Sequence, residues 1–416
     1  MITLTELRGY KLVDQRGARA RLRDLLIDLS TGDYPDITGI YYNQAGGQLL
    51  MLPWAAVVQL DRRRHSLRVA DLGAGETVSP EALDRAVLLR RDVLDALVLN
   101  LETRRAARAN DLWLELDGDR LELCGADTST LAIWQRMTHL RFGQRRGRSV
   151  YDWKYVEFLR GDPQAAGAGA DYHRRIARLP PGEIARLTDD LPYLHAAELL
   201  MILPDQRAAD TLEAMTPERQ LQVFEELSDE RAEHLLALMG PDSAADLLGQ
   251  LEPEVATRLI DRLPPERGEH VIDLLRYPED TVGGIMTNEV ATIGLQLTVG
   301  AALTELRERL RQPDFVHFIF VVDDDAERRL RGVVTLRELL VAEDSQPVTQ
   351  VMNSYVVTLP ALGTAREAAY QVINTQLAAL PVVGQHGQLL GAVTVDAALA
   401  YAAPPSLRSQ VPRVFS

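Results

Sequence analysis

Between Leu179 and Leu275 the apolar positions keep a twelve-residue beat. A Leu or Met falls at Leu179, Leu191, Leu203, Met215, Leu227, Met239, Leu251, Leu263 and Leu275. Most of these marks are followed within two residues by a proline: Pro180, Pro192, Pro204, Pro217, Pro241, Pro253 and Pro264. Proline is tolerated at the first helical turn because its missing N–H has no partner there in any case. The runs between the marks, such as EIARLTDDL, RAADTLEAM and AADLLGQL, are rich in helix formers. Each step therefore predicts a helix of about eight or nine residues and a turn of about three. Asp205, Ser228 and Asp242 stand where caps or first-turn acids belong. Two adjacent places late in most steps are large and apolar (Leu199/Leu200, Val223/Phe224, Leu235/Leu236, Leu247/Leu248, Leu259/Ile260, Val271/Ile272). An earlier place is small in most steps: Ala196, Ala208, Ala232, Ala244 and Ala256. Helices this short are marginal alone, so the pattern predicts an α-solenoid in which each repeat buries its apolar face on the next.

The pattern differs on either side. Residues 1 to about 160 alternate as strands do, with a hairpin signal at Ile37–Tyr42 and Gln48–Trp54 around Asn43–Gly47. A second hairpin is expected at LWLEL–DGD–RLELC, Leu112–Cys124, where Asp117–Gly118 supplies the turn. Ala20–Leu29 matches Ala107–Leu116 with Asp24 over Asp111, so two copies of a small barrel-like unit are expected, offset by 87 residues. Trp134, Trp153, Tyr151 and Tyr155 are expected in the core. Gly161–Asp171 has a linker composition. After Tyr277–Thr281 a β-α-β-β-α order begins at Ile285–Met286–Thr287. Its strands are expected at Glu289–Ile293, His317–Asp323 and Arg331–Thr335, and its helices at Val299–Arg311 and Leu336–Ala342. The same order restarts at Val351–Met352–Asn353, with strands Val356–Leu359, Leu380–Val383 and Leu390–Thr394 and helices Thr364–Leu377 and Val395–Tyr401. Thr292 aligns with Thr358, Val321–Val322 with Val382–Val383, and Gly332–Thr335 (GVVT) with Gly391–Thr394 (GAVT).

Composition narrows the classes. With 416 residues, 46% hydrophobic and 25% charged, this is the make-up of an ordinary soluble chain of about two to four domains. The longest apolar run, Leu49–Val58, contains Pro53 and is far short of a membrane span, and no leader opens the chain, so a cytoplasmic protein is expected. One cysteine, Cys124, rules out an internal disulfide. The net charge of −15 argues against nucleic acid. From Tyr172 to Asp280 there are 23 Asp/Glu against 11 Lys/Arg, so −12 sits in about a quarter of the chain. The eight histidines are scattered; His234 and His270 share a repeat position but lie 36 residues apart. No P-loop, HExxH or nucleophile–base set is present, and an enzyme is not expected.

Two resemblances follow from these segments. The Gly or Asp turn followed by an Arg-x-x-Asp-hydrophobic strand in the first 160 residues resembles PRC-barrel domains. The LPP/LxP helices running into YPEDTVGGIMT (Tyr277–Thr287), then two β-α-β-β-α modules, resemble the cytosolic half of the MgtE magnesium transporter family, with the modules as a tandem CBS pair. The expected fold is multidomain α+β: a β-rich, PRC-barrel-like region at 1–160, a linker at 161–171, and an MgtE-N-like α-helical superhelix at 172–276. A tandem CBS pair follows at 277–402 (about 285–343 and 351–402), then a tail at 403–416. The residues after Tyr401 hold no pore segment, so either a stand-alone relative or a piece of a longer protein is expected; the N-terminal region is the other departure from that family.

What the resemblance implies falls on particular residues. In the family an acidic helical domain and the CBS pair close on each other when Mg²⁺ screens facing carboxylates. Asp242 and Asp246, four apart on one helical face, match the family's metal-facing DxxxD pair. Asp396 is expected to face them, with Glu279 and Asp280 at the hinge. The plain alternative is that these acids solvate a helix surface. The family also uses acids on a helix after the second module; Ala397–Pro405 carries none. CBS pairs commonly bind an adenine nucleotide such as ATP. Their pattern of a Thr followed three residues later by an acid is met by Thr335 and Glu338, and imperfectly by Thr394, with Asp396 one place early. The alternative is that each Thr caps the next helix. The function implied is a cytosolic Mg²⁺-sensing regulatory protein, homodimeric through its CBS modules. The alternatives are an adaptor on a separately encoded, membrane-embedded divalent-cation transporter, which would place the chain at the inner membrane through that partner, or an adenine-nucleotide sensor.

Overall fold

The computed structural model describes residues 1–43, 48–138, 149–159, 175–309, 318–323, 327–375 and 377–402. The chain forms two compact units, Met1–Pro204 and Asp205–Ser416.

The first unit is built on a duplicated curled sheet. Strand Arg19–Asp28 runs antiparallel to Asp36–Asn43, and strand Asp111–Asp117 antiparallel to Arg120–Asp127. The register steps at the matching place in both pairs, between Leu26 and Ile27 and between Trp113 and Leu114. Such bulges bend a strand and tighten its twist, which is how a flat ladder becomes a curl. Gly39 and Gly125 occupy the same station in the second strands. A Cβ there would stand 3.2 Å from the Leu52 carbonyl and 3.0 Å from the Tyr151 carbonyl. Each copy continues with a short strand, Leu49–Pro53 or Val150–Asp152, and a 3₁₀ turn opening on a buried tryptophan, Trp54 or Trp153. Trp153 is thus a core residue as expected, whereas Trp134 is exposed.

The copies trade their leading strands. Ile2–Thr3 pairs with the second copy (Ile2 opposite Leu114), and Val87–Leu88 pairs with the first (Ile27 opposite Val87). One core therefore spans both, with Tyr10, Leu25, Ile40, Tyr42, Leu112 and Leu123 among its buried members. The hairpin expected around Asn43–Gly47 forms from Asp36–Asn43 and Leu49–Pro53; residues 44–47 lie outside the described residues. Gly118, at φ +60°, turns the other hairpin.

The twelve-residue beat becomes helices Pro181–Thr188 and Tyr193–Ile202 in the first unit. In the second it becomes Asp205–Glu213, Pro217–Glu225, Asp229–Leu238, Pro241–Gly249, Pro253–Ile260 and Pro265–Leu275. Five of these eight helices have proline in the first turn, and Ser228 caps another by accepting from Arg231 N–H. The marks Leu191, Leu203, Met215, Leu227, Met239 and Leu263 are buried, as are Ala196, Ala208, Ala232 and Ala244. Burial weakens at the end of the array: Ile272 and Leu275 are each 40% exposed.

Two small modules complete the second unit. Strand Thr292–Gly294 pairs parallel to Phe318–Val322, which pairs antiparallel to Leu330–Thr335. Leu359–Pro360, Ala379–Val383 and Leu389–Thr394 repeat that arrangement. The registers confirm the sequence alignment: Ile293 faces Val321 as Leu359 faces Val382, and both second strands carry a bulge at the aligned position. The first strand of each module is shorter and later than the expected Glu289–Ile293 and Val356–Leu359. The residues before it are used elsewhere. Thr287 pairs with Ala392 of the second module, and Asn353 pairs with Val333 of the first. The modules are therefore laced together by crossed lead segments. The aligned glycines receive them: a Cβ on Gly391 would lie 2.2 Å from the Thr287 carbonyl, and on Gly332 2.9 Å from the Asn353 carbonyl. The helices are Val299–Arg309, Leu336–Val341, Ala365–Thr375 and Val395–Ala402, with a single turn at Val348–Val351 between the modules. His317, expected in a strand, lies outside the described residues.

Candidate cation and nucleotide sites

The junction Tyr277–Thr287 joins the last repeat helix to the modules, and its glycines are sterically required. A Cβ on Gly283 would press into the Tyr277 ring at 2.3 Å, and one on Gly284 into the Pro278 carbonyl at 2.2 Å. The turn is fixed by Thr281, whose N–H and hydroxyl both donate to the Pro278 carbonyl, at 3.0 and 2.7 Å. It is also sewn to the second module. Val282 N–H donates to the Gly363 carbonyl, Gly283 N–H to Ala361, and Ala365 N–H to the Asp280 carbonyl, each at 2.9 Å. The Glu279 and Asp280 residues are exposed on this turn.

Asp242 lies half-buried in the first turn of helix Pro241–Gly249, where a carboxylate complements the helix dipole. Asp246 follows one turn later and is exposed. That helix packs against Pro265–Leu275. Arg267 on the latter donates to the Met239 carbonyl just before the acidic helix and forms an ion pair with Glu289 at 2.9 Å. Asn288 Nδ2 donates to the His270 carbonyl at 2.8 Å. The acidic helix, the last repeat helix and the lead segment of the first module are thus coupled in series. Sequence reasoning missed Arg267, Asn288 and Glu289, because nothing in their spacing marks a contact that only the fold creates. Asp205, expected as a cap or first-turn acid, does stand in the first turn of its helix; what the sequence did not show is that it takes a hydrogen bond from Arg231 and lies 2.9 Å from His234 Nε2. These partners hold its carboxyl below the usual carboxylate range.

Asp396, expected to face the acidic helix, lies in the second module's last helix. It is 5% exposed in the first turn of Val395–Ala402, so it is an interior carboxylate, whereas Glu279, Asp280 and Asp246 are open. Among the described residues no three His, Cys, Asp or Glu side chains are gathered into a metal-holding group. The donor set still suits Mg²⁺, which takes one or two carboxylates and keeps much of its water; Asp242 and Asp246 supply such a pair on one helix face.

At the nucleotide candidates the side chains form caps. The Thr335 hydroxyl accepts from Glu338 N–H at 3.2 Å, while Glu338 Oε2 accepts from Thr335 N–H at 2.8 Å and lies 2.9 Å from its hydroxyl. This is a complete capping box on helix Leu336–Val341. In the second module Thr394, buried at 9% exposure, accepts from Ala397 N–H at 3.2 Å. Glu338 is exposed, so it can exchange its cap for a hydroxyl presented from solvent; Asp396 is not.

A helical repeat ending in a glycine turn that is stitched to two crossed β-α-β-β-α modules defines a tandem-CBS regulatory architecture. Residues 179–280 match the MgtE intracellular N domain, and residues 282–345 and 348–403 match CBS domains. Over these segments the chain belongs to the MgtE family, in the part that lies inside the cell. Magnesium transporter MgtE of Thermus thermophilus is 37% identical over 123 residues, which are 30% of this chain and 27% of that protein. The Enterococcus faecalis magnesium transporter MgtE is 32% identical over the same shares. The chain spans about a quarter of the length of these curated relatives. Among solved structures, the cytosolic domain of the Mg²⁺ channel MgtE in complex with ATP aligns at 32% identity with a TM-score of 0.53, covering 58% of this chain and 95% of that one. The soluble part of a magnesium transporter aligns at 24% identity and a TM-score of 0.51, covering 58% of this chain and 98% of that one. No helix among the described residues is long and apolar enough to cross a membrane.

Proposed function

We propose that this chain is a divalent-cation sensor, with Mg²⁺ as the cation, that reports through its CBS pair. The observation that carries the reading is the placement of charge: 23 acids against 11 bases over residues 172–280, in helices that lead straight into the stitched glycine turn. Like charges so concentrated repel one another and any further carboxylate, and a divalent cation relieves that repulsion. Asp242 and Asp246 are the proposed pair that meets the ion, with Glu279 and Asp280 on the turn as contributors. Asp396 is proposed to act from the interior, holding its helix rather than meeting the ion. Limited proteolysis tests the reading. Cleavage in the helical array slows in millimolar Mg²⁺ relative to chelator plus matched NaCl; equal rates count against it.

The relative solved with ATP supports a second, compatible role at Thr335 and Glu338, in which a ribose hydroxyl takes the place of the Thr335 contacts. Calorimetry with ATP, ADP and AMP checks this role, and Glu338→Gln is expected to weaken any binding by about tenfold, the loss of one charged hydrogen bond. A homodimer is proposed through the modules, which expose Leu340, Val341, Tyr370, Ile373, Leu377 and Leu399. Light scattering giving a monomer mass would remove it. Docking on a membrane-embedded cation transporter is the output that this sensor is proposed to serve; a pull-down from membranes that recovers no transporter speaks against that output.

A further inference from the structure

Part of the first unit's sheet turns outward a face built of cations. Strand Lys11–Val13 lies between Arg19–Asp28, antiparallel, and Ser66–Val69, parallel, and Val57–Asp61 pairs with the latter. The inward residues Leu12, Ala20, Leu22, Leu67 and Val69 are buried. Strand alternation then sends Lys11, Arg19, Arg21, Arg23 and Arg68 outward, and all five are exposed. The register gathers them. Arg19 and Arg68 stand on either side of Val13, each about 5 Å away across the ladder. Lys11 stands directly opposite Arg21, and like charges so placed destabilise a sheet. Among the described residues Lys11, Arg19, Arg21 and Arg68 form no ion pair. Asp61, which shares the face, accepts from Arg63 and Arg64 N–H in the adjoining turn and pairs with the Arg64 side chain at 3.9 Å.

The second unit carries the opposite charge in the same unanswered form. Glu225, Glu226, Asp229 and Glu230 crowd the turn between helices Pro217–Glu225 and Asp229–Leu238, and all four are exposed. Asp229 and Glu230 begin a helix, whose dipole stabilises them. Glu225 and Glu226 end one, whose dipole opposes them. Among the described residues none of the four has a cation partner, and the neighbouring Arg231 is bonded to Asp205.

We propose that the cation face of one copy of this chain seats on the Glu225–Glu230 turn of a second copy. Charge complementarity selects this occupant. Four carboxylates within six residues meet a face about 10 Å across that repels itself until anions arrive. An anionic lipid surface or a nucleic acid would also meet, in the same chain, the 23 acids against 11 bases of residues 172–280. A second copy uses that charge instead of being repelled by it. Two such contacts made reciprocally close a two-fold pair.

Lys11 and Lys154 are the chain's two lysines, so a carbodiimide, which joins an amine to a carboxylate in direct contact, reads this interface with Lys154 as internal control. Full-length chains with natural and with heavy nitrogen are mixed at high salt, dialysed to about 50 mM NaCl and cross-linked. The expected product joins Lys11 of one isotope to the 225–230 segment of the other, and its yield falls at least tenfold in about 500 mM NaCl. Arg19→Glu/Arg21→Glu/Arg68→Glu and Glu225→Arg/Glu226→Arg, each with unchanged circular dichroism, are each expected to lose it. Mixing the two variants restores a product, between Lys11 of the first and Asp229 or Glu230 of the second, which a misfolded variant could not give. No mixed-isotope product from the unaltered chain, a product confined to one isotope, or no restoration in the mixture overturns the proposal. So does flotation with anionic vesicles that requires the arginines while no product forms, which would assign the face to lipid.

Discussion

Asp24 and Asp111 are carboxylates inside the duplicated sheet, and each accepts from the N–H that follows it, Leu25 at 2.8 Å and Leu112 at 2.9 Å. Asp24 also accepts from Arg90 and Arg91 N–H, and Asp111 from Thr5 N–H, so each ties down the leading segment that the other copy has lent. Burial raises both pKa values, and the backbone donors only partly oppose it. A carboxyl with a raised folded pKa keeps its proton to higher pH in the native state than in the unfolded chain. Its contribution to stability is complete below its ordinary pKa near 3.8 and is lost as pH rises through the raised value. Asp111→Asn, which stays neutral, should therefore gain on the parent as pH climbs from about 4 towards neutrality. Urea midpoints of the two proteins across that range check it; a constant difference would refute it. The sequence showed Asp24 over Asp111 as a repeat. Their role stayed hidden because their partners lie in segments 66 and 106 residues away.

At the scale of elements, the repeat was legible because local chemistry sets it: a proline start, a small residue and a large pair recur in most steps. Its uneven strength was not, since burial depends on what lies beyond the last helix. Leu247, fully buried, and Ile272, 40% exposed, hold adjacent repeat positions two steps apart. Leu247→Ala should cost about 2–5 kcal/mol and Ile272→Ala under about 1 kcal/mol, read as denaturation midpoints. The module order was also legible, and the aligned GVVT and GAVT segments mark the same strand twice. The crossing of Thr287 and Asn353 between modules was not, because strand propensity names no partner. Gly391→Ala drives a methyl into the Thr287 carbonyl and should cost about 1–3 kcal/mol or more. Gly332→Ala meets the Met352 thioether at 2.8 Å and the Asn353 carbonyl at 2.9 Å, a shallower overlap than at Gly391, and should cost less. A reversed order in thermal unfolding would contradict the crossed arrangement.

For the whole molecule, the family and the charge contrast could be read from the sequence: acidic repeats, and an N-terminal region with slightly more bases than acids. The division at Pro204, which leaves the first two repeat helices in the first unit, could not, since the twelve-residue beat runs through it unbroken. The candidate acids were found by resemblance, but their exposure was not: Asp396 turned out interior, and Thr335 and Glu338 are bonded to each other. The central claim is that Mg²⁺ compacts this chain through the acidic repeats. Small-angle scattering in chelator, in about 10 mM MgCl₂ and in NaCl of matched ionic strength measures that directly, for the parent chain and for Asp242→Asn/Asp246→Asn. The radius of gyration should fall in Mg²⁺ alone for the parent, and fall markedly less for the variant. Identical scattering of the parent in chelator and in Mg²⁺ would contradict it.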